Sequence, residues 1–166
     1  MTTRPYSVPV PTPDFIVELR RKIGTDLLWL PGVTAVILDD EDRVLLTYRV
    51  DGPRWHLVSG ILEPGEQPVH GVLREIREET GIDAAVERMS SCWAGDPMVI
   101  ATNGDRCQFL DLTFRCRHVA GEPYPADDEN SDVRWFALDN LPALKDSVLR
   151  RIEHALEPDG LPFLIT

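Results

Sequence analysis

The segment GILEPGEQPVHGVLREIREETGI, Gly60 to Ile82, constrains this chain more than any other. On a helical wheel advancing about 100° per residue from Val69, the side chains of Val72, Leu73 and Ile76 fall at roughly 300°, 40° and 340°, a single apolar stripe suited to a core. Glu75, Glu79 and Glu78 fall at roughly 240°, 280° and 180°, on a face offset from that stripe. Carboxylates spaced i, i+3 and i+4 repel one another by a few tenths of a kcal/mol per pair on an open helix. Such a face is either simply solvated or built to collect a hard divalent cation through oxygen ligands. The flanking residues define the helix: Pro68 sits near its first turn, where a missing N–H costs little, and Gly81 suits a left-handed cap after it. Gly60 permits close backbone approach or a positive φ ahead of it, and Glu66 and Arg74 are placed to form a charge-assisted pair across the helix start.

Around this helix the chain reads as one α/β layered domain. Asp14 offers an N-cap for a helix through FIVELRRKI, stopped by Gly24. Val33–Leu38 and Val44–Tyr48, joined by the polar DDEDR, predict a hairpin whose near-continuous apolarity implies a sheet covered on both faces. Residues 106–118 alternate, with Leu110, Leu112, Phe114 and Cys116 on one side and Phe109, Asp111, Thr113 and Arg115 on the other, after a turn at Asn103-Gly104-Asp105. A short strand VRWFA (133–137) follows the acidic loop ADDENSD, and Leu144–Leu156 predicts a last helix, stopped by Pro158 and Gly160. Helices flanking a hairpin-rich sheet, with no repeat and no long linker, imply a single domain over 14–166, preceded by an extended arm over 1–13 that holds Pro5, Pro9, Pro11 and Pro13.

Charge and composition narrow the function. Lys+Arg 17 against Asp+Glu 28 leaves a formal charge of −11, which argues against a bulk electrostatic surface for a nucleic acid polymer. A protein this acidic that handles phosphates needs something other than net charge to hold them. The longest apolar run is broken by Thr34, and the start MTTRPYSVPVPTP has no apolar h-region, so neither a membrane span nor a secretory signal is expected and the chain reads as cytoplasmic. Cys92, Cys107 and Cys116 lack metal-type spacing and read as small buried hydrophobes rather than disulfide partners. His56, His70, His118 and His154 show no ligand spacing, and Trp29, Trp93 and Trp135 are expected to pack.

The 60–82 segment resembles the Nudix box, the signature of the Nudix hydrolases. It has Gly60, Glu66 after five residues, Arg74-Glu75 after seven more, then Ile76, Glu78-Glu79, Gly81 and Ile82. With residue frequencies of roughly 5–8%, seven fixed positions match by chance less than about once in a million. The resemblance implies an α/β/α sandwich with a mixed β-sheet and a loop–helix–loop that binds Mg²⁺ or Mn²⁺. It further implies cleavage of a diphosphate linked to another moiety in a small-molecule nucleotide. Carried over by position, Glu75, Glu78 and Glu79 are the expected metal ligands, the Gly60 carbonyl a further one, and Arg74 the residue that orients the glutamates. Glu129, in the loop 127–132, resembles a distal carboxylate that serves some relatives as ligand or base; a solvated turn is the plainer alternative. Arg49 is a candidate for a terminal phosphate or for a salt bridge. Trp55, Arg54 and Tyr48 are candidates for a base-stacking pocket, with core packing the alternative for the aromatics. One departure is Leu57-Val58-Ser59-Gly60 where many relatives read Leu-Pro-Gly-Gly.

Three function classes follow. The first is a diphosphohydrolase acting on a nucleoside diphosphate linked to another moiety, ADP-ribose or a sugar nucleotide, with sanitising pyrophosphohydrolysis of a nucleoside triphosphate as its alternative. The second is a binding module of the same fold without turnover, against which the complete box speaks. The third is an isoprenoid isomerase relative, whose Cys and Glu pair is not evident. Outside the box, the Ser-Gln-Pro-Trp-Pro-Phe-Pro motif of NADH pyrophosphatases is absent, and Leu45–Arg49 matches only the start of a coenzyme-A-type motif. Pro97, 16 residues after Gly81, stands near the proline that marks ADP-ribose pyrophosphatases. A homodimer is left open.

Overall fold

The computed structural model describes residues 12–50, 52, 54–100, 104–158 and 160–164. Among them the chain runs α1 (Asp14–Ile23), β1 (Leu28–Leu38), β2 (Val44–Arg49), β3 (Trp55–His56), β4 (Val58–Ile61), α2 (Pro68–Thr80), β5 (Asp83–Ala94), β6 (Met98–Val99), β7 (Arg106–Ala120), β8 (Asn130–Phe136), α3 (Asp146–Leu156) and β9 (Phe163–Leu164). The expected arm over 1–13 lies outside the described residues except for its last two, of which Pro13 is extended at φ −50°, ψ 140°.

The strands form one mixed sheet in the order β3-β2-β1-β7-β5-β9, with β4 on β1, β6 on β7 and β8 on β2. Its spine is the parallel pairing of β1 with β7, which holds Val33 opposite Leu112 and Leu38 opposite Arg117. The predicted hairpin closes at Leu38 opposite Val44. Lower down, β1 changes partner and runs antiparallel to β4, Val33 opposite Gly60 and Thr34 opposite Ser59.

Alternation along β1 divides the core. Val33, Ala35 and Ile37 pack with Val72 and Ile76 of α2, while Val36 and Leu38 pack with Val148, Ile152 and Ala155 of α3. Both layers are buried and apolar, as the near-continuous apolarity of β1 and β2 requires of a sheet covered on both faces. α1 closes the lower end through Ile16, against Leu30 and Cys107. The result is the α/β/α sandwich with a mixed sheet.

Several local expectations are corrected. Asp14 is the first helical residue of α1 rather than its N-cap; Pro13 takes the cap position, its carbonyl accepting from Ile16 N at 2.9 Å. The N-terminal turn still gains from the Asp14 charge through the helix dipole. The apolar stripe of α2 is buried as the wheel has it through Val72 and Ile76, with Leu73 packed against them, but the buried arc is wider and takes in Gly71, Glu79 and Thr80, while Val69 is 41% exposed. β1 begins five residues before Val33, and Trp29 on this extension is 51% exposed rather than packed. β8 begins at Asn130, inside the acidic loop, and α3 at Asp146 rather than Leu144. Cys107 and Cys116 are buried and Cys92 half-buried, all three free. No helix among the described residues is long and apolar enough to cross a membrane.

Candidate active site

The site gathers where α2 lies over β4 and the start of β8. Gly60 explains its tightness. Its φ is not in the left-handed region, so the glycine is required for space: a Cβ there would overlap the carboxylate of Glu75. The Gly60 carbonyl oxygen, by contrast, lies 3.5 Å from where a Cβ on Gly32 of β1 would stand. The close approach of Glu75 makes this glycine a cradle for the carboxylate. Gly81 adopts the expected αL cap (φ 70°), its N–H bonded to Arg77 O at 3.0 Å.

The expected pair across the helix start is present and bidentate. Arg74 donates from Nε to Glu66 Oε1 at 2.8 Å and from Nη2 to Glu66 Oε2 at 2.9 Å. The same guanidinium reaches Glu75 Oε1 at 2.8 Å, Glu78 Oε2 at 3.0 Å and the carbonyl of Ile61 at 3.3 Å. Three carboxylates are thus held by one planar cation, which offsets the repulsion that their spacing imposes. The hydrogen bonds of Arg74 hold the Glu66 carboxyl below its ordinary value of 4.5, and Glu66 raises the Arg74 pKa in return.

The two inner glutamates differ from Glu66. Burial pushes the Glu75 carboxyl up, opposed by Arg74. Burial pushes Glu79, 3% exposed, up to about 8, against the Ser59 N–H and with the help of the neighbouring Glu75 charge. Glu79 Oε1 accepts from Ser59 N at 3.1 Å, and Oε2 accepts from Asn130 Nδ2 at 3.1 Å. Both donors are neutral. Glu78 is the outer member, with its side chain 56% exposed against 14% for Glu75.

The acidic loop comes to the same place. Asp127 Oδ1 accepts from the backbone N–H of Glu129 at 3.0 Å and of Asn130 at 3.2 Å, an Asx turn that fixes the loop. Glu129 pairs with Arg49 (Nη1–Oε2, 3.2 Å), and its charge acts on Glu75. Arg49 acts in turn on Glu79. The structure therefore brings together Glu75, Glu78, Glu79, Arg74, Gly60, Glu129 and Arg49. Ser59 and Asn130 belong with them and were missed; Asn130 stands in an acidic loop where only carboxylates drew attention.

The aromatic candidates lie elsewhere. Trp55 packs against the α3 layer, edge-on to Phe136 (ring centroids 4.7 Å) and to Tyr48 (5.1 Å), and Tyr48 shares the face of Val44 and Leu46 by strand alternation. They are not brought to the glutamates. Arg54 is exposed, and Pro97 sits in the exposed β5–β6 connection.

The donor set suits a hard divalent cation: oxygen ligands only, on one helix face, with a buried carboxylate that carries no cationic hydrogen bond. As the side chains stand, no three His, Cys, Asp or Glu residues among those described are gathered closely enough to hold a metal. Arg74 occupies that role for Glu75 and Glu78. A buried acceptor without a donor, Asn130 Oδ1, lies beside Glu79.

The family model described as NUDIX domain matches residues 28–156. The NAD-capped RNA hydrolase NudC of Stutzerimonas stutzeri is 39% identical over 88 residues, 52% of this chain and 28% of that protein. This chain therefore spans little more than a quarter of that relative's length. A putative 8-oxo-dGTP diphosphatase of Bacillus subtilis is 37% identical over 117 residues, covering 69% of this chain and 71% of its own. Among solved structures, a UDP-X diphosphatase superposes with TM-score 0.61 at 28% identity, covering 86% of this chain and 68% of that one.

Proposed function

The chain belongs to the NUDIX domain family, and from that premise we propose that it is a divalent-cation-dependent hydrolase of the diphosphate linkage in a nucleoside diphosphate joined to another moiety. The observation that carries the reading is the assembly of Glu75, Glu78 and Glu79 with the Glu66–Arg74 fork behind them and the Gly60 cradle beneath Glu75. A diphosphate is anionic and would be repelled by this face unaided. Glu75, Glu78 and Glu79 are the residues to hold Mg²⁺ or Mn²⁺. Such an ion, when bound, supplies neutralisation of the phosphoryl oxygens and acidification of a water.

The remaining work falls to the chain itself. Arg74 keeps Glu75 and Glu78 on one side of α2 while Glu66 anchors its far edge. Ser59 N–H and Asn130 hold Glu79 from below. Glu129 is the carboxylate placed to take a proton from the attacking water, because a group outside the ligand set is not held acidic by the cation. Arg49 holds Glu129 in position and is the cation within the site able to meet a phosphate.

The name of the UDP-X diphosphatase supports a nucleoside diphosphate linked to a second group. That of the Bacillus subtilis relative supports the second reading, a nucleoside triphosphate. A turnover screen with Mg²⁺ over both substrate classes separates them. Faster turnover of linked diphosphates sustains the first reading, and faster turnover of triphosphates replaces it with the second. Undiminished turnover in excess chelator would overturn both.

A further inference from the structure

Glu79 is buried beneath α2, and its orientation rests on two donors from distant parts of the chain. Ser59 contributes a backbone N–H that any side chain at that position would retain. Asn130 contributes a side chain, itself 4% exposed, whose Nδ2 reaches Glu79 Oε2 at 3.1 Å and Asp127 Oδ1 at 3.3 Å. The residue opens β8, opposite Arg49 of β2. The backbone ahead of it is fastened to the last turn of α2: Tyr124 N donates to Thr80 O at 3.1 Å and Ala126 N to Glu79 O at 3.2 Å. The β7–β8 connection thus grips both the main chain of Glu79 and, through Asn130, its carboxylate.

The chemistry at this position is selective. Aspartate would set a second buried carboxylate against Glu79, and leucine would leave Oε2 without its donor. An amide satisfies the carboxylate without adding or cancelling charge. Its own Oδ1 is buried and unpartnered, so the residue is placed for its donating end. We infer that Asn130 is a positioning residue: it fixes the plane of the Glu79 carboxylate, and so sets the affinity of the site for its cation while touching neither substrate nor reacting atoms. The inference rests on the reading of Glu79 as a ligand of a divalent cation.

The test is Mn²⁺ binding without substrate, followed by the electron paramagnetic resonance signal of free Mn²⁺ on the full chain. Asn130→Ala and Asn130→Ser should each weaken Mn²⁺ binding by about 10- to 100-fold, the range for partners behind metal ligands, with Tm within a few degrees of wild type. Should the alanine variant not fold, the serine variant decides. The Mg²⁺ concentration for half-maximal turnover should rise by a similar factor. In a Glu79→Gln background, adding Asn130→Ala should change Mn²⁺ affinity less than twofold, because the group through which it acts is gone. Wild-type affinity in the Asn130 variants overturns the inference. So does an equal loss in the Glu79→Gln background, since that would mean that Asn130 acts only through the loop. Absence of Mn²⁺ binding by the wild type overturns the proposed function, and this inference with it.

Discussion

Asp111 and Glu79 are both buried carboxylates with both oxygens hydrogen-bonded, yet they are satisfied in opposite ways. On the α3 face, Asp111 Oδ1 accepts from Thr34 Oγ1 at 2.7 Å, and Oδ2 accepts from Thr113 Oγ1 at 2.8 Å and from Arg151 Nε at 3.0 Å. Its charge is neutralised by a guanidinium from α3, and the assembly ties that helix to β1 and β7. On the α2 face, Glu79 has only the neutral donors Ser59 N–H and Asn130 Nδ2, and its carboxyl is pushed up to about 8, burial being the main cause. One carboxylate carries its own cation and holds the sandwich together. The other is kept short of one. Under the proposed function, a cation would meet that shortage at Glu79.

Exchanging the acid for the amide at each position exposes the contrast. Glu79→Gln should lower kcat by at least about 10²-fold, since loss even of a partner behind a metal ligand reaches that size. Tm should not fall, because burial already disfavours the charged form of Glu79 and the amide has the same shape without the charge; steady-state kinetics alongside thermal melting checks both halves. Near-normal turnover in a well-folded variant would return Glu79 to the structural class. Glu129→Gln should slow turnover by about 10²-fold, the scale of a lost general base, with Mn²⁺ affinity little changed. A change under about twofold would make the loop scaffolding.

Asp111→Asn should do the reverse of Glu79→Gln. It leaves Arg151 half-buried without its counter-charge and should cost about 2–3 kcal/mol of stability, read from urea unfolding, while kcat stays within about twofold. The smallest effect belongs to a third buried carboxylate, Asp39. Burial alone would raise its carboxyl, but the backbone N–H and guanidinium of Arg43 and the N–H of Glu41 together hold it below the ordinary 3.8. A depressed folded-state value contributes stability that is present above pH 3.8 and lost as the pH falls below it. Asp39→Asn should therefore flatten the acid limb of the stability curve and leave neutral-pH turnover unchanged, as unfolding followed from pH 6 to pH 2 will show.

What was legible in the sequence was what local spacing encodes. The i, i+3, i+4 carboxylates, the Glu66–Arg74 fork and the Gly81 cap all lie within one helix and its flanks, and the structure has them as the spacing implied. The β1–β2 hairpin and the alternation of β7 were likewise short-range signals. β5 escaped notice because small and polar residues interrupt its pattern and its pairing with β7 shifts register at three places. Asn130 lies 51 residues from Glu79, and nothing in a run of acidic and polar residues marks the one whose amide turns inward. The burial of Glu79 beside the apolar stripe of α2 was hidden for a related reason: a wheel ranks positions by hydrophobicity, and Glu79 is held by hydrogen bonds instead.

The parallel union of β1 with β7 has a consequence for the order in which the domain is made. Val33 and Leu112 meet across most of the central part of the chain, and α2 and β4 lie inside the loop that their meeting closes. As the polypeptide leaves the ribosome, the glutamate helix is synthesised before the strand that completes the floor beneath it. Until β7 arrives, Val72 and Ile76 have only a hairpin and β4 to cover them. A topology dominated by such distant pairings folds slowly, and the vulnerable interval is the one in which this apolar stripe waits for its sheet.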